Sequence, residues 1–189
     1  FRRVLFRSQI VQRKGCHLMK IRVIVPCYNE GEVVLKTYDK LTEIMKKDSL
    51  IKNYEYDLLF INDGSTDTTI HHIKNIVAYD NHVKYLSFSR NFGKEAAMIA
   101  GYQHSTMHDA VIMIDGDLQH PPEYIPQMIE GYIEGYDQVV AKRNRQGENF
   151  VRKTLSRCYY KLINAFVEDI QFEDGVGDFR LLSRRAVQA

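Results

Sequence analysis

Ala110-Val111-Ile112-Met113-Ile114-Asp115-Gly116-Asp117 is the stretch whose reading decides the fold. Apolar residues run without polar alternation and end abruptly in two acids around a glycine. Such a run suits a strand covered on both faces, where neither side of the pleat meets water. The same grammar recurs along the chain. Ile21–Val25 runs into Pro26-Cys27-Tyr28-Asn29-Glu30, Tyr56–Asn62 into Asp63-Gly64-Ser65-Thr66-Asp67, and Val83–Phe88 into Ser89-Arg90-Asn91-Phe92-Gly93-Lys94. A last short run is Gln138–Ala141. Helical patterns lie between these runs, over Glu32–Lys47, Thr66–Ala78, Lys94–Ser105 and Pro122–Gly135. The alternation predicts an α/β fold with a mostly parallel central sheet flanked by helices and joined by right-handed crossovers. Ligands of such sheets bind beyond the carboxyl ends of the strands. The polar clusters fall at those ends.

Composition removes several classes. The 189 residues are 44% hydrophobic, and 26 Lys and Arg stand against 24 Asp and Glu. That excludes a disordered tail and a nucleic-acid-coating protein, while leaving room for a local basic patch. Cys16, Cys27 and Cys158 are odd in number and form no Cys-x-x-Cys, against a disulfide scaffold or zinc knuckle and in keeping with a reducing compartment. Cys27 reads as structural. The histidines show no metal-ligand spacing, and neither G-x-x-x-x-G-K-[ST] nor G-x-G-x-x-G occurs. No apolar run reaches the roughly 18 residues a membrane span needs.

Residues 1–18 are rich in Arg and Lys without a hydrophobic period, and Met19 stands directly before a strand pattern. They read as an extraneous or disordered segment, with an amphipathic arm as the competing reading. Arg184–Ala189 opens a helical pattern without a stop signal, so the chain reads as a fragment whose domain covers 19–189.

The strand ends carry the chemistry. Asp115 and Asp117 can converge on one divalent cation, Mg²⁺ or Mn²⁺, shared with a diphosphate; the same residues also suit a strand-terminal turn capping the helix begun at Pro121-Pro122. Asp63 would accept hydrogen bonds from a base or ribose, whereas turn formation and capping by Ser65 or Thr66 account for Gly64–Asp67. Tyr28 could flank a base and Glu30 bond its edge. Arg90, Lys94 and free helix-terminal amides form a candidate anion cradle. Between Lys142 and Lys161 lie seven basic residues and one acid, and a helix from about Asn149 to Phe166 would place Arg152 and Ser156 on one face. A phosphate-binding, membrane-facing helix and a solvated charged face over an ordinary core stripe both fit.

Taken in order, VIVPCYNE, FINDGSTDTT, SRNFGKEAA, IDGDLQHPPE, VAKRNRQGE and DGVGDFRLLSRR resemble glycosyltransferase family 2. The resemblance is to its polyprenyl-phosphate branch, which includes bactoprenol glucosyltransferases and dolichyl-phosphate mannose synthase, and it covers Met19–Ala189. It implies a GT-A fold and inverting, metal-dependent transfer of a hexose, glucose or a relative. The donor would be a nucleotide sugar, UDP-linked with GDP as the alternative. The acceptor would be polyprenyl (undecaprenyl) phosphate at the cytoplasmic face of the cell membrane, for cell-envelope glycan modification.

By the same resemblance Asp115 and Asp117 match the metal and diphosphate motif, Asp63 the nucleotide-binding acid, and Pro26, Tyr28 and Glu30 the base surroundings. Gln119 matches a residue near donor sugar and metal. Arg143, Arg152 and Ser156 match an acceptor-phosphate clamp, and Asp178 and Arg180 a late motif near donor or acceptor. Members of this branch continue into transmembrane helices, which this chain lacks. A homo-oligomer is left open and nucleic acid is not expected. The rivals are a non-catalytic nucleotide-sugar-binding fragment and, less favoured, an Asp-x-Asp phosphatase.

Overall fold

The computed structural model describes residues 3–6, 18–142 and 176–189. In chain order its strands are β1 (Arg3–Phe6), β2 (Met19–Cys27), β3 (Tyr54–Asn62), β4 (Val83–Ser87), β5 (Ala110–Met113), β6 (Gln138–Lys142) and β7 (Val176–Ser183). The helices are α1 (Val34–Lys52), α2 (Thr69–Tyr79), α3 (Lys94–Gln103), α4 (Ile125–Ile133, preceded by a 3₁₀ turn at Pro122–Tyr124) and α5 (Arg184–Gln188). None of the described helices is long and apolar enough to cross a membrane.

The strands form one sheet in the order β1-β6-β7-β5-β2-β3-β4. Pairings of β2 with β3, β3 with β4 and β2 with β5 are parallel; β7 runs antiparallel between β5 and β6, and β1 antiparallel to β6. The sheet is mixed, and most of its strands are parallel, as expected. From β2 the chain steps outward through β3 and β4, then returns through α3 to lay β5 on the other side of β2. The order reverses there, and the carboxyl ends of β2 and β5 diverge to leave a crevice.

The continuous apolar runs divide by parity, because successive side chains of a strand face opposite ways. Ile21, Val23 and Val25 of β2 join Leu58 and Phe60 beneath Val34, Leu41, Ile73, Ile129 and their neighbours from α1, α2 and α4. Ile24 turns to the other face, where Leu59, Ile61, Val111 and Met113 meet Ala97 of α3. Helix α3 sits unusually close to the sheet. A Cβ on Gly101 would lie 2.6 Å from Ile24 Cγ2 and 2.8 Å from Ile61 Cδ1, so only hydrogen fits.

Two strands differ from the sequence expectation. β7 carries Gly177 and Asp178, which read locally as a turn; it is a strand because Phe179 and Leu181 enter the core on alternate positions, both fully buried. β1 lies within the stretch set apart at the N-terminus and pairs Arg3 with Ala141 through Phe6 with Gln138.

The amino end of the sheet is closed by a buried ion pair. Arg22 on β2 lies opposite Asp57 on β3 and donates from Nε and Nη2 to the two carboxylate oxygens, each at 2.6 Å, and from Nη1 to the His104 carbonyl. Lys84 at 3.0 Å and His108 at 3.2 Å complete the cluster on Asp57. This cluster lies at the end opposite the crevice.

Candidate active site

Four loops leave the carboxyl edge, after β2, β3, β4 and β5, and hydrogen bonds fasten them to one another. Gly64, at φ 64°, stands where a Cβ would come within 2.2 Å of the Arg90 carbonyl carbon. Only glycine lets the loop after β3 touch the loop after β4 there. Asp63, 3% exposed, accepts the backbone amides of Phe92 at 2.7 Å and Gly93 at 2.9 Å. The Thr37 hydroxyl of α1 donates to the Gly116 carbonyl at 2.7 Å, tying that helix to the acid motif.

The loops after β2 and β3 are joined similarly. Asn29 N–H donates to Ser65 Oγ at 3.0 Å, Thr66 N–H to Asn29 Oδ1 at 2.9 Å, and Gly31 N–H to Asp67 Oδ2 at 2.9 Å. Capping by Ser65 or Thr66 is not what these residues do. Helix α2 begins later, at Thr69, and Asp67 takes the Thr69 amide at 3.0 Å while holding the neighbouring loop. The turn sequence carries the joint between loops, which local patterning does not reveal.

Together the loops enclose a cavity of about 270 Å³ at the reversal between β2 and β5. Of the residues singled out in the sequence, Pro26, Tyr28, Glu30, Asp63, Lys94, Asp115 and Asp117 all line it. Sequence reasoning missed Asn91, Gly93 and Ala97, which line it too; Asn91 sits inside a quoted motif, but its amide has no signature apart from that of a turn.

The remaining candidates lie around the rim or elsewhere. Gln119 reaches Asp117 through its backbone N–H, 2.9 Å from Oδ1. The Arg90 guanidinium packs over the Phe92 ring, 4.5 Å from its centroid, so Arg90 and Lys94 face different partners instead of one cradle. Asp178 and Arg180 lie on β7, with Arg180 Nη2 3.5 Å from Asp178 Oδ1. Arg143, Arg152 and Ser156, and the helix expected over Asn149 to Phe166, lie outside the described residues.

Charge is unevenly shared in the cavity. Lys94 Nζ lies 2.6 Å from Asp115 Oδ1 and 2.8 Å from Asp178 Oδ2. Burial works against the Lys94 ammonium, but hydrogen bonds to these two acids outweigh it and raise its pKa. His120 Nε2 lies 3.5 Å from Asp115 Oδ2, with its ring against Phe179; with Lys94 it holds the Asp115 carboxyl below the usual range. The histidine spacing assigns His120 no role, since the Phe179 ring that seats it is brought up from β7 only by the fold. Glu30 behaves oppositely. Burial, then the negative charges of Asp117, Asp67 and Asp115, raise its pKa. Burial, followed by Glu30 and Asp67, pushes the Cys27 thiol far up, which suits the structural part read for it.

Among the described residues no group of three or more His, Cys, Asp or Glu side chains is arranged to hold a metal by itself. A cation that takes most of its ligands from a diphosphate and water needs only one or two carboxylates. Asp117, with Asp115 beside it, fits that requirement by its donor chemistry.

A family model described as "Glycosyl transferase family 2" matches residues 22–189. The chain is 53% identical over 169 residues to the "Putative glycosyltransferase CsbB" of Bacillus subtilis (strain 168), covering 89% of this chain and 50% of that protein. It is 43% identical over 171 residues to the "Prophage bactoprenol glucosyl transferase homolog" of Escherichia coli (strain K12), covering 90% and 54%. The chain thus spans about half the length of these relatives. In fold it is similar to a mannosyltransferase of Pyrobaculum calidifontis, solved with GDP-Man and Mn²⁺, at a TM-score of 0.59, 16% identity and coverage of 90% of this chain and 46% of that one.

Proposed function

The chain belongs to glycosyl transferase family 2, and from that premise we propose that it is the catalytic domain, over 19–189, of an enzyme moving a hexose from a nucleotide sugar to a polyprenyl phosphate. One observation carries the reading: the paired acids Asp115 and Asp117 share a cavity with Tyr28, Glu30 and Asp63 at the reversal of the sheet. Glucose is favoured, because relatives 43% identical to the chain are named bactoprenol glucosyl transferase or a homolog of one; the donor is taken as UDP-linked, with a GDP-sugar as the alternative. The full protein would act at the cytoplasmic face of the cell membrane.

Pro26 and Tyr28 border the end of the cavity assigned to the base, with Glu30 beside them. Asp63 fixes the Phe92-Gly93 loop and so shapes the nucleotide side. Asp117, with Asp115, would hold Mg²⁺ or Mn²⁺, which supplies neutralisation of charge gathering on the departing diphosphate. Gln119, Asp178 and Arg180 border the sugar.

In the reaction an acceptor phosphate oxygen bonds to the anomeric carbon from the face opposite the donor diphosphate. The bond to that diphosphate breaks, releasing the nucleoside diphosphate and inverting the centre. The acceptor is already an anion near neutral pH, so its positioning matters more than a strong base. That part falls to Arg143, Arg152 and Ser156, while Arg90 belongs to the nucleotide-sugar side.

The test is transfer from radiolabelled UDP-glucose or GDP-mannose to a short polyprenyl phosphate, with and without Mn²⁺. Metal-dependent formation of labelled lipid from one donor is expected. Donor binding without transfer by the full-length protein would instead establish a nucleotide-sugar-binding protein.

A further inference from the structure

The ladder between β5 and β7 pairs Ala110 with Ser183 through Met113 with Arg180. Carried two residues further, this antiparallel register sets Asp115 opposite Asp178, just past the last paired residues. Like charges directly opposite one another on neighbouring strands are destabilising. Here they also stand beside Asp117 and Glu30, which line the same cavity. His120 and Arg180 each stand 3.5 Å from one of the two acids, but Lys94 alone among the described cations reaches both. It rises from the first turn of α3, on the far side of the cavity, and its ammonium lies 2.6 Å from one acid and 2.8 Å from the other.

We propose that Lys94 is a positioning residue: its ammonium clasps Asp115 and Asp178 into one cross-strand unit and leaves Asp117 as the principal carboxylate open to a divalent cation. The part concerning the cation rests on the function proposed above; the clasp itself does not. Two acids on antiparallel neighbours would otherwise repel, and the end of β7 would part from β5. With Lys94 present, α3, β5 and β7 are fastened at one point, and the strand carrying Asp178 and Arg180 is held against the cavity. The strand-to-helix position of Lys94 suits a diphosphate ligand equally well in sequence, but the observed partners are carboxylates.

The two roles give opposite results in binding to the purified chain without turnover. Lys94→Met, Lys94→Arg, Asp178→Asn and the double variant Lys94→Met/Asp178→Asn are compared. Thermal unfolding without metal reads the clasp. Lys94→Met is expected to lower the Tm by about 3 °C and Lys94→Arg to restore most of it. In the Asp178→Asn background the same change should cost little, since one of the opposed charges is gone. Free Mn²⁺ measured by electron paramagnetic resonance reads the cation site. Affinity for Mn²⁺ alone should rise about tenfold in Lys94→Met, because two carboxylates lose the nearest cation, while His120 and Arg180 stay 3.5 Å from Asp115 and Asp178. Binding of UDP without metal should change less than about twofold.

Additive Tm effects of Lys94→Met and Asp178→Asn would overturn the clasp. A loss of UDP affinity of about tenfold or more in Lys94→Met, with Mn²⁺ affinity unchanged, would overturn it in favour of a diphosphate ligand. Non-additive Tm effects with no Mn²⁺ binding by any variant would support the clasp and overturn the assignment of Asp117 to a cation.

Discussion

The Asp63 carboxylate receives the Gly93 amide at 2.9 Å, so the acid just after β3 holds the residue that caps the start of α3. With the Phe92 amide on its other oxygen, Asp63 fixes a loop before any ligand arrives. Asp63→Ala leaves two donors without their charged acceptor in a site 3% exposed. The expected cost is about 2–3 kcal/mol, read as a lowered denaturant midpoint with an unchanged slope, together with weakened nucleotide binding.

Asp117→Asn keeps the shape of the side chain and the acceptor for the Gln119 amide but removes the charge. Transfer of labelled sugar should fall by about two orders of magnitude or more, with the Tm within about 2 °C of the parent. Near-normal turnover would remove the cation from the proposed chemistry.

Arg22→Met breaks the buried pair at the other end of the sheet. Removing one member of such a pair costs about 3–5 kcal/mol, and Lys84 and His108 remain on Asp57, so the lower figure and a Tm loss of about 6–12 °C are expected. Burial alone would raise the Asp57 pKa; Arg22, His108 and Lys84 outweigh it and bring it below the ordinary 3.8. The stabilisation is therefore complete above that value and lost as pH falls through the lower, folded-state pKa. Parent and variant should differ by a constant amount across neutral pH and converge only in stronger acid.

Glu30→Gln tests the crowding of acids. With its pKa raised above the ordinary 4.5, the ionised side chain opposes folding at neutral pH, and that cost disappears once the carboxyl is protonated. The variant should melt about 1–2 °C higher than the parent near pH 7.5, the gain fading as pH falls toward 4.5. A gain that persists unchanged in acid would show that the charge is not its source.

Much of this arrangement is legible in the chain. Uninterrupted runs such as Ala110–Ile114 announce strands covered on both faces, and the acids and turn residues after them mark the ligand edge. What local patterning conceals is pairing between distant segments. Val176–Ser183 contains Gly177 and Asp178, and only its placement between β5 and β6 makes a strand of it. Lys94 gains Asp178, and His120 the Phe179 ring, from a strand set beside them by the fold. Asp67, legible as part of a turn before a helix whose cap is Ser65 or Thr66, takes the Thr69 amide and also joins two loops, because the Gly31 amide comes within its reach only after β2 and β3 have paired.

The hydrogen that Gly101 offers Ile24 acts as a spacer gauge for the reactive rim. Lys94 lies seven residues away on the same rigid rod, about two turns or roughly 10 Å along its axis. A methyl group inserted as a shim at Gly101 would tilt or lift that rod, and a displacement of about 1 Å suffices to spoil charge-assisted contacts of this length. The grip on Asp115 and Asp178 is thus calibrated deep in the hydrophobic interior, by an atom that no substrate ever meets.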